Sequence, residues 1–230
     1  MRIHRLQIEN YKSSVVLIVK PKIHFMALKE KIKNNPQLKS MVLKAMIPRN
    51  RARPRLWVRW FINPFVHHKG KRTGICKSAR IDVLPYYKFS LGDDSIIEDF
   101  ATINNGVGDV FIGKRSRIGL GSTLIGPLKI GNDVLIAQNV VLSALNHKYE
   151  DDTLPISRQG FTKNAIVVED EVWIAANCVI LSGVTIGKHA IVSAGSVVRR
   201  NVPSYSIVTG NPAKVIKRQN PETKIWEWKI

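Results

Sequence analysis

The stretch IGNDVLIAQNVVLSALNHKYED, residues 130–151, decides the fold of this chain. Its first part repeats every six residues, because Ile130, Ile136 and Leu142 are one period apart. The period then stops, and His147 lies one residue before the position where the next aliphatic residue is due. The repeat predicts the architecture, and its interruption predicts where the functional site lies.

The six-residue period continues over two long segments of the chain. A period of six fits neither a helix, which repeats every 3.6 residues, nor a long strand, which alternates every two. It indicates a short strand and a turn, repeated many times. The aliphatic positions are Ile112, Ile118, Leu124, Ile130, Ile136 and Leu142 in one run, and Val168, Ile174, Ile180, Ile186, Val192 and Val198 in the other.

Such repeats predict a parallel β-helix. Three strand-and-turn units make one triangular coil, and stacked coils bring each strand beside the previous one, roughly 4.8 Å away. The residue four positions after each aliphatic is mostly small or β-branched, so each repeat places one large and one smaller side chain inside. Gly131–Asn132 and Asn104–Asn105 suit sharp corners. An ordinary β-sandwich is the alternative, but its irregular loops would not keep twelve aliphatic residues in phase.

The repeat motifs carry a family resemblance. IGKRSR, IGLGST, IGNDVL, IGKHAI and VSAGSV resemble the hexapeptide repeats of the left-handed β-helix acyltransferases, over about residues 80–218. EDEVWIAANCVILSGVTIG and VTGNPAKVIKR are similar to the polysaccharide and sugar O-acetyltransferases, and ALNHKYED is similar to the xenobiotic and streptogramin acetyltransferases. The resemblance implies a mainly β fold, with a single-stranded left-handed parallel β-helix over residues 73–210 and a short helical tail over 211–230.

The N-terminal part of the chain is strongly basic. Residues 1–72 hold 18 Lys and Arg and two acidic residues, whereas residues 73–230 hold 18 and 15. Segments 24–35 and 36–47 have helical spacing, and Pro36 suits a helix start. We therefore predict a basic, mainly helical module over residues 1–72. It would either cap the first coil or dock on an anionic membrane surface, where Arg55 and Arg59 flank Trp57, Trp60 and Phe61.

Composition sets the expected compartment. Cys76 and Cys178 are too few for a disulfide framework or a thiolate zinc site, and Cys178 occupies an inward position of a repeat. No cleavable signal peptide is evident, and the apolar run SSVVLIVK is too short to span a bilayer. We expect a cytoplasmic protein, or one at the inner face of the membrane. No nucleic-acid partner is expected, because no recognition motif accompanies the charge.

His147 is the candidate general base. Residues 148–165 leave the repeat and return, and loops of this length are often functional. A neutral imidazole accepts a proton near neutral pH. His189, in contrast, lies in an uninterrupted repeat and is expected at the surface. The resemblance implies that His147 deprotonates an acceptor hydroxyl, which then attacks the thioester of acetyl-CoA in a ternary complex.

The resemblance implies the remaining site residues as well. The backbone N–H of Ala176 would stabilise the oxyanion, and Trp173 would shape the pocket. Acetyl-CoA would be the co-substrate, no metal is expected, and active sites would lie between the subunits of a homotrimer. The expected CoA-binding residues are Ser182, Ala194, Arg199, Arg200, Lys214 and Lys217. The expected acceptor-side residues are Asn146, Tyr149, Asn104 and Asn105.

Several functions remain open at this stage. The leading one is O-acetylation of a sugar hydroxyl in surface polysaccharide biosynthesis. The same chemistry could serve an antibiotic, a serine or an amino sugar, with Glu150, Asp151 or Asp152 as an additional acid for an amine. An inactive β-helix scaffold is a further alternative. A γ-type carbonic anhydrase would need three zinc-binding histidines, and a sugar nucleotidyltransferase would need a large Gly-rich domain, neither of which the sequence provides.

Overall fold

The computed structural model describes residue 32, residues 34–49 and residues 51–229 of the 230-residue chain. The chain divides into two compact units, residues 1–51 and 52–230. In the first unit, helix α1 (Pro36–Met46) confirms the helix expected over 36–47. Asn35 caps it, because its Oδ1 accepts a hydrogen bond from the Leu38 N–H at 3.0 Å. Residues 1–25, and nearly all of the helix expected over 24–35, lie outside the described residues.

Two short helices open the second unit, α2 (Leu56–Phe61) and α3 (Asn63–Val66). Val58 of α2 is fully buried, and the Asn63 Nδ2 of α3 donates to the Val83 carbonyl at 2.8 Å. These helices therefore belong to the same unit as the coils, whereas composition had placed the domain boundary at residue 72. Within the described ranges, no helix is long and apolar enough to cross a bilayer.

The rest of the second unit is a parallel β-helix of six complete coils, with one strand of each coil in each of three sheets. The first sheet contains β1 (His68–Lys69), β4 (Phe89–Leu91), β7 (Val110–Ile112), β10 (Leu128–Ile130), β15 (Ile166–Val168) and β18 (Thr185–Ile186). The second contains β2 (Gly74–Ile75), β5 (Ile96–Ile97), β8 (Arg117–Ile118), β11 (Leu135–Ile136), β16 (Trp173–Ile174) and β19 (Ile191–Val192), and continues with β21 (Ser206–Gly210). The third contains β3 (Arg80–Asp82), β6 (Thr102–Asn104), β9 (Thr123–Ile125), β12 (Val141–Ser143), β17 (Val179–Ile180) and β20 (Val197–Val198).

The registers show why the sequence repeats every six residues. Val110 pairs with Leu128, Arg117 with Leu135 and Thr123 with Val141, so one coil of 18 residues is three hexapeptides. The expected interior is confirmed, because all twelve aliphatic positions of the two runs are at most 3 % exposed. The small inward positions are also buried, and the free thiol of Cys178 is among them.

Buried serines satisfy the backbone between coils. Ser116 Oγ donates to the Gly131 carbonyl at 2.9 Å and accepts from the Val134 N–H at 3.0 Å. Ser122 Oγ makes the same pair of bonds with the Ala137 carbonyl and the Val140 N–H. Each hydroxyl is therefore fully hydrogen-bonded inside the coil stack, which explains how polar side chains fit an apolar interior.

The corners between the first and second sheets, which we call corner 1, form a stacked ladder. The corner residue of each coil has positive φ, for example Arg72, Asp94, Arg115 and Asp133. Arg115 donates through two nitrogens to the carboxylate of Asp133 at 2.6 Å, and Arg72 pairs with Asp94 in the same way. A Cβ on Gly113 would collide with the carbonyl of Gly131 in the next coil, so glycine there permits close stacking.

The prediction of a short helical tail over residues 211–230 was wrong. β22 (Ala213–Gln219) runs antiparallel to β21, and β23 (Trp226–Trp228) runs antiparallel to β22. Lys217 pairs with Trp228, and its Nζ lies 4.0 Å from the centre of the indole ring. The last strand of the second sheet has an open edge, and pairing with β22 satisfies its backbone groups.

Candidate active site

The interruption of the repeat is a β-hairpin at the corner between the third and first sheets, which we call corner 3. β13 (Leu145–His147) pairs antiparallel with β14 (Phe161–Lys163), and a 3₁₀ helix, Ile156–Arg158, lies in the loop between them. The chain therefore departs from the coil at residue 145, three residues earlier than the repeat predicted. His147 ends the first strand of the hairpin instead of lying on the coil itself.

The hairpin register places His147 on a defined face. Leu145 pairs with Lys163 and His147 pairs with Phe161. Directly paired residues share one face of an antiparallel ribbon, so these four side chains lie on the same side, and Asn146 lies on the other. His147 is exposed, and its imidazole has no hydrogen-bond partner among the described residues. The ring is therefore available to a substrate.

Lys163 fixes this hairpin to the coil body. Its Nζ donates to the Tyr87 Oη at 3.0 Å and to the Val107 carbonyl at 2.7 Å. The same ammonium lies 4.8 Å from the centre of the Tyr87 ring. Tyr87 packs edge to face against Tyr86, and burial raises the pKa of Tyr86 to about 12. Both contacts of Lys163 belong to corner 3 of earlier coils.

Corner 3 is longer in the first two coils, and this extra length creates those contacts. Phe89 pairs with Val110, a spacing of 21 residues instead of 18. Asn105 was expected beside the acceptor, but it is fully buried and holds the first loop, since its side chain bonds the Leu84 N–H and the carbonyls of Leu84 and Tyr87. No polar atom of Asn105 remains for a substrate. Asn104 is half-buried, and its Oδ1 accepts from Gly106 N–H at 2.7 Å.

Ser182 ties the base of the hairpin to the following coil. Its Oγ donates to the Ala144 carbonyl at 3.0 Å and accepts from the Asn164 N–H at 3.2 Å. Asn164 N–H also donates to the Ala144 carbonyl at 3.1 Å. Ser182 thus joins the point where the chain leaves the coil to the point where it returns. Its expected role beside CoA remains a prediction.

The far end of the excursion is ordered by its own side chains. Gln159 Nε2 donates to the carbonyls of Asp151 and Leu154, at 2.6 and 2.8 Å. Hydrogen bonds from Thr153 hold the pKa of Asp151 below its usual range, and backbone hydrogen bonds lower the pKa of Glu150. Both carboxyl groups are therefore ionised at neutral pH and are poor proton donors. Tyr149 is 71 % exposed.

A second group of expected site residues lies at the corner between the second and third sheets, corner 2. The N–H groups of Ala175 and Asn177 donate to the carbonyls of Val192 and Gln138. The N–H of Ala176 between them has no acceptor within the described part of the chain. Trp173 lies on the outer face of β16, beside Leu135 of β11, and these side chains are 45 % and 46 % exposed.

The expected CoA-binding residues are distributed between these places. Arg199 and Arg200 are exposed at corner 3, one coil after Ser182, whereas Ala194 is exposed at corner 2, one coil after Ala176. Lys214 and Lys217 lie on β22. A surface cavity of about 550 Å³ opens beside that strand, lined by Pro203, Ser204, Tyr205, Arg218, Gln219, Pro221 and Lys224. Arg218 and Lys224 are two cations that sequence reasoning missed.

His189 is less isolated than the sequence suggested. It is a half-buried corner 1 residue with positive φ, and its Nδ1 lies 3.1 Å from Glu171 Oε2. Its ring stacks on Tyr205, with centroids 5.3 Å apart. His189 therefore has side-chain partners within the coil stack, whereas the His147 ring has none among the described residues and is presented on an excursion.

The architecture defines a β-helix protein with one interrupted coil, and two segments of the coil stack match known repeat families. Residues 109–144 match the hexapeptide repeat of succinyl-transferase, and residues 165–200 match the bacterial transferase hexapeptide, six repeats. The matched segments lie on either side of the hairpin. Both segments therefore contain hexapeptide repeats, as the motifs predicted.

Two relatives indicate the range of functions near this sequence. The chain is 37 % identical over 110 residues to WbbJ of Escherichia coli, named for O-acetyl transfer in lipopolysaccharide biosynthesis, with 45 % of this chain and 56 % of WbbJ covered. It is 51 % identical over 63 residues to a 2,3,4,5-tetrahydropyridine-2,6-dicarboxylate N-acetyltransferase of Clostridium perfringens, with 27 % of each chain covered. The chain thus spans about half of the length of WbbJ and less of the other.

A solved structure confirms the fold. AntD, an N-acyltransferase from Bacillus cereus in complex with dTDP and 3-hydroxybutyryl-CoA, superposes with a TM-score of 0.59 at 24 % identity. The match covers 67 % of this chain and 84 % of AntD. At this level of identity the likeness shows a common architecture.

Proposed function

We propose that this protein is an acetyl-CoA-dependent O-acetyltransferase that acts on a sugar hydroxyl in surface polysaccharide biosynthesis. The observation that carries the proposal is the interrupted coil, which presents an exposed His147 on a hairpin whose base is fixed by Lys163 and Ser182. The relatives named as acetyltransferases support the reaction class, and WbbJ supports a glycan acceptor.

The chemistry needs a base, an oxyanion donor and a leaving group. His147 takes the proton of the acceptor hydroxyl as its oxygen attacks the thioester carbonyl carbon of acetyl-CoA. The developing oxyanion accepts a hydrogen bond from the Ala176 N–H, which has no other acceptor among the described residues. The intermediate then collapses, the carbon–sulfur bond breaks, and the CoA thiolate takes the proton from the His147 imidazolium. Acetylated acceptor and free CoA leave.

The active form in this proposal is a homotrimer. His147 lies on the hairpin that leaves the coil at corner 3. Ala176 lies at corner 2, and Trp173 lies on β16, the strand that leads to that corner. A neighbouring copy would supply the second set of residues opposite His147. The exposed apolar pair Leu135 and Trp173 on the outer face of the second sheet gives such a copy a surface to cover. The groove between copies would hold CoA, with its phosphates near Arg199, Arg200, Lys214 and Lys217.

The ionised carboxyl groups of the excursion favour an alcohol acceptor. An amine acceptor arrives protonated and must lose two protons during transfer, so an additional acid–base group would be needed. The pKa values of Glu150 and Asp151 are both lowered by hydrogen bonds, so both carboxylates are weak acceptors for the extra proton of an amine. Asn146 and Tyr149 stay in the proposed acceptor set with Asn104, and Asn105 leaves it.

Because acetyl-CoA is made inside the cell, we place the reaction in the cytoplasm.

The test compares His147→Asn with His189→Asn. Asparagine keeps the size of each side chain near that of the imidazole and tolerates the positive φ of residue 189. Acetyl-CoA binding is measured by calorimetry, and turnover is measured with a panel of sugars, amino sugars, serine and antibiotics. We expect His147→Asn to lower kcat by about 10²–10⁴-fold without weakening CoA binding, and His189→Asn to keep both.

Two other results would contradict the proposal. Unchanged turnover in His147→Asn would reject His147 as the base. Failure of the unmodified protein to bind acetyl-CoA would favour a β-helix scaffold that has kept the family fold without its co-substrate.

A further inference from the structure

The two helices that precede the first coil carry an exposed aromatic patch, which we define as Leu56, Trp57, Trp60, Phe61 and Phe65. These side chains are between 44 % and 85 % exposed, and Phe65 is the most exposed of them. Within α2, Leu56 and Trp60 are four residues apart, as are Trp57 and Phe61, so the helical spacing gathers these four on one side, and Phe65 follows on α3. Scattered apolar residues are common on protein surfaces, but a contiguous patch of this kind marks an interaction site.

The opposite side of the same segment is anchored to the coils. Pro54 and Val58 are buried, and Asn63 Nδ2 holds the Val83 carbonyl at 2.8 Å. The segment is therefore apolar on two sides, and only one of them packs on the protein. Burial of Val58 and the bond to Val83 fix the direction of the aromatic patch, so the exposed rings are not a consequence of a loosely attached helix.

The charge around the patch identifies the chemistry of a partner. Within the unit that carries the patch, the sequence from Ala52 to Ile81 contains eight Lys and Arg residues and no acidic residue. Arg55 is exposed and Arg59 is half-buried, and both lie within α2 or beside it. A second copy of this chain would bring the same positive charge against itself. The partner must instead be anionic and must accept several large apolar side chains at once.

We propose that the aromatic patch docks on an anionic bilayer surface, with Trp60, Phe61 and Phe65 entering the boundary between headgroups and acyl chains. Tryptophan and phenylalanine favour this boundary, and Arg or Lys at the same level pairs with anionic lipid headgroups. Single-stranded nucleic acid also offers negative charge and stacking surfaces. It offers no apolar layer in which Phe65, at 85 % exposure, would leave water.

The experiment uses the full chain and sedimentation with vesicles. Vesicles of phosphatidylcholine are compared with vesicles that also contain phosphatidylglycerol, and quenching of tryptophan fluorescence by brominated acyl chains reports insertion. The variant Trp60→Ser/Phe61→Ser/Phe65→Ser removes the rings, and Arg55→Gln/Arg59→Gln removes two charges. Phe100→Asn is the matched control, because Phe100 is 67 % exposed at corner 2 of the second coil, outside the two helices, and its positive φ suits asparagine.

We expect binding to the anionic vesicles, with quenching, and a loss of more than about tenfold in apparent affinity for the triple variant. The double arginine variant should bind more weakly and show a smaller salt dependence, and Phe100→Asn should bind normally. Three results would overturn the proposal: no binding to anionic vesicles, equal binding by the triple variant, or tighter binding to single-stranded nucleic acid through the same rings. Acetyl transfer is not the readout, so this test is independent of the proposed activity.

Discussion

His67 shows at the scale of one residue how burial sets the pH response of the fold. It lies between α3 and β1, and neither ring nitrogen has a hydrogen-bond partner within the described ranges. Its ring meets Phe89 edge to face, with centroids 6.1 Å apart. Burial lowers the pKa of His67 from 6.5 to about 4. The folded protein therefore holds the neutral imidazole, whereas the unfolded chain binds a proton near pH 6.5.

This difference predicts a loss of stability in mild acid. Since the unfolded state binds more protons between pH 6.5 and 4, the free energy of unfolding should be constant above pH 6.5 and fall as the pH decreases through that window. We expect His67→Phe to remove on the order of 1 kcal/mol of this dependence, allowing for the partial exposure of the ring. Urea unfolding at pH 7, 5.5 and 4 measures it. The exposed neighbour variant His68→Gln serves as the control, and a pH profile unaltered by His67→Phe would reject the assignment.

At the scale of an element, the β13–β14 hairpin depends on contacts outside itself. Its six strand residues are all exposed except Leu145, which is half-buried, and an isolated two-stranded ribbon is marginally stable in water. Lys163 therefore acts as a positioning residue, because its bonds to Tyr87 and Val107 fix the strand opposite His147. We therefore expect the orientation of the imidazole to depend on a residue sixteen positions away in sequence.

Loss of this contact should affect catalysis more than folding. We expect Lys163→Met to lower kcat by about tenfold to a hundredfold, since small misplacements of a base are costly, while acetyl-CoA affinity and Tm remain close to normal. Lys163→Arg should recover part of the rate, and Lys129→Met, at an exposed site on β10, should be neutral. A Lys163→Met variant with the full rate and unchanged KM for the acceptor would show that the clamp has no role in positioning.

The coils could be predicted from the sequence and the hairpin contacts could not, for a physical reason. Ile118, Leu124 and Ile130 recur every six residues because each inward position has the same surroundings. Lys163 meets Tyr87 only because two corner 3 loops in the first coils are longer, a feature that no local pattern shows. The same reason explains the error over Asn105, whose side chain bonds Leu84 and Tyr87 in the preceding coil.

At the scale of the whole molecule, the proposed site is divided between corners. His147, Ser182 and Arg200 lie at corner 3, and Ala176 and Trp173 lie at or before corner 2. Closed threefold symmetry brings the same two surfaces together three times, with one site at each contact. The first expectation is therefore a trimer in sedimentation equilibrium, which Leu135→Lys should dissociate by placing a charge in the contact.

Mixing two inactive variants tests the division directly. His147→Asn subunits keep Trp173 and Ala176, and Trp173→Ala subunits keep His147. If each site combines residues of two neighbouring chains, an active site needs His147 from one chain and Trp173 from the next. In random trimers from an equal mixture, about one quarter of the contacts between subunits meet this condition. About one quarter of the normal activity should therefore return. The subunits are unfolded and refolded together, and native mass measurement checks that mixed trimers form. Mixed trimers with no recovered activity would place His147 and Trp173 in the site of one chain.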